Sequence, residues 1–190
     1  MARVKDIEVN EVSAEIRSIY KRFTTDYGPF ANQAKVFAHR PTIFKYMMGM
    51  LLELAENPII EKRHLEIAIV AVSAVNKCDY CVAHHAPNLI SVGLSKNTVE
   101  NILEKNCPGL SSLDLLVRDY AVQITKDHNR VSDNQFKELT NYFSEEQMVE
   151  LTFRISLCTF FNKFNDVMQL EMEDDPFLYA TNLKQKPPGI

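Results

Sequence analysis

Apolar residues along this chain recur mostly three and four positions apart, which is the spacing of one face of an α-helix. One such stripe follows Ser13, a residue type that favours helix N-caps, and contains Ile16, Ile19, Tyr20 and Phe23. Strand-like alternation of apolar and polar positions is hard to find anywhere in the sequence. The pattern therefore predicts an all-α fold.

Turn and capping residues divide this pattern into separate helices. Gly28 and Asn76 mark breaks, Gly93 has the place of a C-terminal cap, and Ser144-Glu145-Glu146-Gln147 matches a capping box. No Pro/Gly/Ser-rich linker separates two halves, so one domain over residues 1–190 is expected, with a loose tail from Pro176 onward. The predicted helices cover residues 13–23, 32–38, 42–54, 61–74, 77–92, 96–105, 112–126, 134–143 and 145–172.

Composition agrees with a helical globular protein and limits its partners. Of the 190 residues 46% are hydrophobic and 24% charged, with only 5 Gly and no Trp. The net charge is -4 and no Lys/Arg-rich run occurs, so a nucleic-acid partner is not expected. The apolar run 67–75 is too short to cross a bilayer. The N-terminus runs directly into charged residues, so no signal peptide and a cytoplasmic location are expected.

Two of the four cysteines are candidates for chemistry. Cys78 and Cys81 are three residues apart, so on a helix their Cα atoms lie roughly 5 Å apart, within the range that a disulfide spans. His85 follows Cys81 by one helical turn and could exchange a proton with its thiol. Two core cysteines, or half of a zinc site completed by His84 or His85, are the alternatives. Cys107 and Cys158 are expected to be plain buried hydrophobes.

Glu66 is a candidate partner of His85, although the two are distant in sequence. If the chain reverses near Asn76, Glu66 lies ten residues before the turn and His85 nine after it, so an antiparallel hairpin brings them level. Glu66 also stands in an apolar run, where a carboxylate needs a partner. A buried Glu66 in a proton relay is therefore predicted, with a surface carboxylate as the alternative.

These residues resemble the signature of alkylhydroperoxidase D and its redox-active relatives in the carboxymuconolactone decarboxylase superfamily. The pattern is a Glu, eleven residues, Cys-x-x-Cys, three residues and a His, which here are Glu66, Cys78, Cys81 and His85. The resemblance is sharp over about residues 61–96 and weaker to about 172. Alkylhydroperoxidase D has a His between the cysteines where this chain has Tyr80, which leaves the reductant open.

The resemblance implies an AhpD-like helical bundle and a homo-oligomer, often a trimer or a hexamer. It implies that Cys81 attacks a hydroperoxide, that Cys78 resolves the product to a disulfide, and that Glu66 and His85 relay protons. We add Tyr80 to this catalytic set, with a packing aromatic as its alternative. No cofactor or metal is implied; the partners are a hydroperoxide and a thiol or dithiol reductant.

Two other functions agree with the same residues. The dithiol could exchange with protein or small-molecule disulfides, which would make the protein a disulfide reductase or redox sensor with weak peroxidase activity. A non-enzymatic oligomeric scaffold with incidental cysteines is the third hypothesis. The decarboxylase branch of the superfamily lacks the Cys pair, so decarboxylation is not expected.

Overall fold

A computed structural model describes residues 2–174, and within them it contains nine α-helices and no β-strand. The predicted all-α class is confirmed. A π-helical turn (Phe23–Tyr27) follows the first helix and a 3₁₀ turn (His128–Arg130) follows the seventh. The helices are α1 (Ala14–Arg22), α2 (Ala31–Phe37), α3 (Pro41–Glu56), α4 (Lys62–Val75), α5 (Asp79–Ser91), α6 (Lys96–Glu100), α7 (Ser112–Asp127), α8 (Asp133–Leu139) and α9 (Glu145–Met168).

Helix starts follow the capping residues of the sequence closely. The side chains of Ser13, Ser95 and Ser111 accept hydrogen bonds from the first turns of α1, α6 and α7. Ser144 and Gln147 exchange hydrogen bonds of 2.9 and 3.2 Å, which confirms the predicted capping box at the start of α9.

Helix ends are predicted less well. The helix expected over residues 96–105 stops at Glu100. The buried guanidinium of Arg118 donates hydrogen bonds to the carbonyl oxygens of Ile102 (2.6 Å) and Glu104 (2.7 Å). These carbonyl groups therefore bind α7 instead of continuing α6. The helices expected over 134–143 and 145–172 likewise end early, at Leu139 and Met168.

The chain divides into two compact units. One consists of residues 2–58 together with 164–174, and the other of residues 59–163. The first unit is aromatic inside: Tyr20 stacks on Phe44 with ring centroids 5.5 Å apart. The organisation as one domain stays a prediction, and the tail expected from Pro176 onward lies outside the described residues.

The core of the second unit surrounds α4. From Ile67 to Ala74 every side chain of α4 is buried, so this helix has no polar face toward solvent. Its apolar cluster includes side chains of α5, α7 and α9. A charged residue on such a helix is costly without a partner, which draws attention to Glu66. In the described part of the chain no helix is long and apolar enough to cross a membrane.

Candidate active site

The candidate site lies in an antiparallel hairpin formed by α4 and α5. The hairpin reverses the chain between Asn76 and Cys78, so residues at equal distances from the turn face each other. The predicted pairing of Glu66 with His85 is therefore found. The hydrogen bonds across the hairpin include Cys78 N–H to Ser73 O (2.9 Å), His85 Nδ1 to Glu66 Oε2 (2.8 Å) and Arg63 Nη1 to Val92 O (3.3 Å).

Both cysteines of the pair lie at the start of α5. Cys78 is the N-cap and Cys81 the third helical residue, so the predicted start of this helix at Lys77 is wrong. Asn76 ends α4 instead of beginning α5, and Lys77 has a left-handed backbone (φ 55°) that no helix continues through. The two side chains are buried, with 0% and 5% of their surfaces exposed. N–H groups at a helix N-terminus favour negative charge on nearby sulfur atoms.

Glu66 is buried, with 6% of its surface exposed, so the interpretation as a surface carboxylate is wrong. Its two oxygens have different partners: Oε2 bonds His85 Nδ1 at 2.8 Å, and Oε1 accepts from Asn88 Nδ2 at 3.1 Å. An ionised carboxylate only accepts hydrogen bonds, so Nδ1 of His85 carries the proton. The lone pair of the neutral ring is then on Nε2, which is the nitrogen that can accept a thiol proton.

Asn88 is the part of the site that the sequence analysis missed. It follows His85 by three residues on α5, which places the two side chains on the same helix face. That spacing was the available signal. An asparagine three residues after a histidine is too common to single out until the position of Glu66 opposite both of them is known.

Tyr80 and His84 form a buried pair on α5. Their ring centroids are 4.1 Å apart, and His84 Nδ1 donates to the carbonyl oxygen of Tyr80 at 2.6 Å. The carbonyl is an acceptor, so this bond places a proton on Nδ1 of His84. The pair gives both residues a packing role, whatever else the Tyr80 hydroxyl does.

The remaining two cysteines are buried, as expected. Burial raises the pKa of the Cys107 thiol, and it raises the pKa of the Cys158 thiol to about 12. Thiols with raised pKa values stay protonated near neutral pH and are poor nucleophiles. Within residues 2–174, no group of three or more His, Cys, Asp or Glu side chains is arranged to hold a metal ion.

Part of the chain resembles known proteins in sequence. Residues 41–108 match the model of the carboxymuconolactone decarboxylase family. The alkyl hydroperoxide reductase AhpD of Coxiella burnetii is 36% identical over 55 residues, which are 29% of this chain and 31% of that protein. The match thus spans about a third of the length of that relative.

Solved structures match over most of the chain. A peroxidase-related protein with an AhpD core from Ralstonia eutropha has a TM-score of 0.79 at 20% identity, covering 91% of this chain and 93% of that one. The debrominase Bmp8 has a TM-score of 0.72 at 19% identity, covering 90% and 92%. At these identities the two structures establish the fold.

The class defined by fold and site is an all-helical protein with a Cys-x-x-Cys hairpin. Residues 41–108 thus match the carboxymuconolactone decarboxylase family, and the solved structures show an AhpD-type helical fold over most of the chain.

Proposed function

We propose that this protein is a thiol-dependent alkyl hydroperoxide reductase that uses the Cys78–Cys81 dithiol. The observation that carries the proposal is the 2.8 Å hydrogen bond between Glu66 and His85, on the helix that begins with the two cysteines. A carboxylate–imidazole pair beside a dithiol supplies what peroxide reduction needs, a nucleophile with its own proton acceptor. The AhpD relative supports the same class of reaction.

The first step forms a sulfenic acid on Cys81. His85 follows Cys81 by one turn on the same helix face and accepts its thiol proton at Nε2. The thiolate attacks one peroxide oxygen, the O–O bond breaks, and the alcohol leaves with the proton that His85 returns. Glu66 holds the ring in the correct tautomer and stabilises the imidazolium formed in between.

The second step closes a disulfide. The thiol of Cys78 attacks the sulfenic sulfur of Cys81, the S–S bond forms, and the sulfenic oxygen leaves as water. Two thiol groups of a reductant then exchange with the disulfide, which restores the dithiol and leaves the reductant oxidised. Cys78 and Cys81 are within one turn, so this cycle needs little movement of the backbone.

Burial of both sulfur atoms favours a small oxidant over a folded protein. Cys81 is 5% exposed and Cys78 fully buried, so a hydroperoxide reaches them more readily than a disulfide within a protein substrate. This argument ranks the peroxidase above a reductase of protein disulfides, and small-molecule disulfides need a direct comparison. Steady-state rates with cumene hydroperoxide and with oxidised glutathione, each with excess dithiol, distinguish the two.

The test compares serine variants of two cysteines. We expect Cys81→Ser to lower peroxide turnover at least about a thousandfold, because it removes the nucleophile. Cys107→Ser is the matched control: Cys107 bonds the Thr98 carbonyl oxygen through its sulfur, which a serine hydroxyl can replace, and it should retain wild-type turnover. Wild-type turnover by Cys81→Ser would refute the proposal.

Anaerobic titration of the reduced protein with peroxide tests the intermediate. One equivalent should produce one Cys78–Cys81 disulfide, identified by mass spectrometry of the digested protein. Indifference of both thiols to peroxide and to alkylating reagents would support the scaffold hypothesis. The trimer or hexamer implied by the resemblance is part of the same proposal and is checked by sedimentation velocity.

Tyr80 needs a variant that keeps its ring. Tyr80→Phe retains the ring contact with His84 and removes only the hydroxyl. As Tyr80 belongs to the proposed catalytic set, we expect kcat to fall about tenfold while the melting temperature is retained. An unchanged kcat would assign the residue to packing alone.

A further inference from the structure

The buried side chain of Asn162 joins α9 to the end of α4 through two hydrogen bonds. Asn162, 1% exposed, donates from Nδ2 to the hydroxyl oxygen of Ser73 at 3.2 Å, and its Oδ1 accepts from Asn76 Nδ2 at 2.9 Å. All three residues belong to the unit of residues 59–163. A buried amide is costly unless its polar atoms are bonded, and here both ends of the Asn162 amide have partners.

These contacts end on the turn that precedes the dithiol. Ser73 accepts the backbone N–H of Cys78 at 2.9 Å, and Ala74 accepts that of Lys77 at 3.2 Å. This pair of bonds is a Schellman motif, in which the residue after the helix cap adopts a left-handed conformation. Glycine usually occupies that position, but here it is Lys77 with φ 55°. The conformation costs a lysine free energy, so surrounding contacts must hold it.

Asn162 holds this turn on both sides. One end of its amide bonds Ser73, whose carbonyl takes the Cys78 N–H, and the other bonds Asn76 within the turn. Apolar side chains of similar volume would avoid the desolvation cost of three polar groups. The hydrogen bonds of Asn162 thus carry a desolvation cost, and they lie at the turn that places Cys78. This combination points to a role in positioning Cys78.

We propose that Asn162 is a positioning residue for the dithiol, acting on Cys78 through Asn76 and Ser73. This inference rests on the proposed redox function. A fixed turn keeps the sulfur of Cys78 close to that of Cys81, which raises the effective concentration of one thiol at the other and favours the disulfide. Loosening the turn lowers that concentration, so the disulfide becomes less stable relative to the dithiol.

The measurement is the equilibrium with dithiothreitol. Protein dithiol and oxidised dithiothreitol exchange to give protein disulfide and reduced dithiothreitol, with no other reactant. We expect Asn162→Ala and Asn76→Ala each to lower the equilibrium constant for the Cys78–Cys81 disulfide about tenfold. Asn162→Ala breaks the bonds to both Ser73 and Asn76, so it already includes the loss caused by Asn76→Ala. The double variant should therefore show the same decrease as Asn162→Ala alone.

Leu151→Ala is the control for a general loss of stability. Leu151 is fully buried on the same helix, eleven residues or about 16 Å before Asn162. Its truncation should lower the melting temperature and leave the disulfide equilibrium unchanged. Asn76, only half-buried in a turn, supplies a variant that should fold if Asn162→Ala does not.

Three results would overturn the inference: a wild-type equilibrium constant in the folded variants, additive effects in the double variant, or an equal shift in Leu151→Ala. A failure of the proposed function looks different, because the wild-type protein itself would then form no disulfide and reduce no peroxide. A wild-type protein that cycles normally, with an Asn162→Ala variant identical to it, rejects only the positioning role.

Discussion

Glu66 has two hydrogen-bond donors from α5, and this arrangement determines what His85 can do. One carboxylate oxygen accepts a hydrogen bond from His85 Nδ1, and the other accepts one from the Asn88 amide. The two hydrogen bonds fix the orientation of the carboxylate, and the imidazole ring is held with Nδ1 toward Glu66. His85 is therefore oriented by Asn88, one turn further along its own helix, which acts through Glu66 on the opposite helix.

Asn88→Asp tests this orientation. The substituted side chain has the same size but cannot donate to Glu66 at neutral pH, and it places a second carboxylate beside the first. We expect peroxide turnover to fall about tenfold or more, and Asn88→Ala to cause a smaller loss. The measurement is kcat/KM for a hydroperoxide with saturating dithiol.

The control for Asn88→Asp is Asn101→Asp. The Asn101 amide bonds Asn97 and lies outside the hairpin. Asn101→Asp therefore adds the same negative charge to the same unit without touching Glu66. It should keep wild-type turnover. Equal losses in the two variants would show that added negative charge, and not the bond to Glu66, causes the effect.

At the scale of the elements, the ends of α4 and α5 decide where the cysteines lie. α4 ends in a Schellman motif, which uses Asn76 and Lys77 and leaves Cys78 as the N-cap of α5. Both cysteines then lie within the first turn of α5, close to N–H groups that have no partner within the helix. A single turn thus sets both the antiparallel pairing of the helices and the surroundings of the dithiol.

Lys77→Gly should stabilise the protein. Glycine adopts the left-handed conformation without the steric cost that a lysine has there, so we expect the free energy of unfolding to rise by about 1 kcal/mol, reduced by the extra entropy of glycine in the unfolded chain. Urea denaturation measures the change.

Lys137→Gly provides the opposite case. Lys137 lies inside α8 with a right-handed backbone, where glycine should destabilise by about 1 kcal/mol. Destabilisation by Lys77→Gly as well would mean that contacts of the lysine side chain outweigh the backbone cost.

At the scale of the whole molecule, the candidate site lies entirely within the compact unit of residues 59–163. Arg63 on α4 connects several parts of that unit. It bonds both carboxylate oxygens of Asp114 on α7 at 2.7–3.1 Å, the carbonyl oxygen of Val92 at 3.3 Å and that of Gly109 at 3.1 Å. The helix that carries Glu66 is therefore held from the start of α7 and from the end of α5.

Asp114 makes this connection sensitive to acid. Burial by itself would raise the pKa of its carboxyl group, but hydrogen bonds from Arg63 and Ser111 outweigh burial and lower the pKa below its ordinary value. A lowered pKa in the folded state contributes stability above the unfolded value of about 3.9. That contribution is lost as the pH falls through the folded value.

Asp114→Asn should therefore destabilise most at neutral pH. We expect a loss of about 2 kcal/mol at pH 7, the scale of a hydrogen bond to a charged group. The difference from the wild type should begin to shrink below about pH 4, where the unfolded chain binds the proton, and should continue to shrink as the pH falls through the lowered pKa of the folded carboxyl group. Urea denaturation at pH 7, 5 and 3 measures the difference in free energy of unfolding between the two proteins. A difference independent of pH would contradict the role of the charge.

Much of this architecture was predictable because it depends on local spacing. The three- and four-residue periodicity predicted an all-α chain, and serine caps located the starts of α1, α6, α7 and α9. The pairing of Glu66 with His85 followed from counting residues on either side of Asn76. These predictions succeed because helix geometry is regular and one residue fixes the positions of its neighbours.

Helix ends and distant contacts were decided only by the tertiary structure. α6 stops early because Arg118 of α7 donates hydrogen bonds to the carbonyl groups of Ile102 and Glu104, which follow α6 in the chain. Asn88 acquires meaning only once Glu66 lies opposite it, and Asn162 only once α9 lies beside the turn at Asn76. The sequence by itself determined the helices and the four residues of the motif. Tertiary packing decided that the amides of Asn88 and Asn162 contact these residues. Such contacts join positions that are separated along the chain by no regular spacing, so the sequence pattern does not predict them.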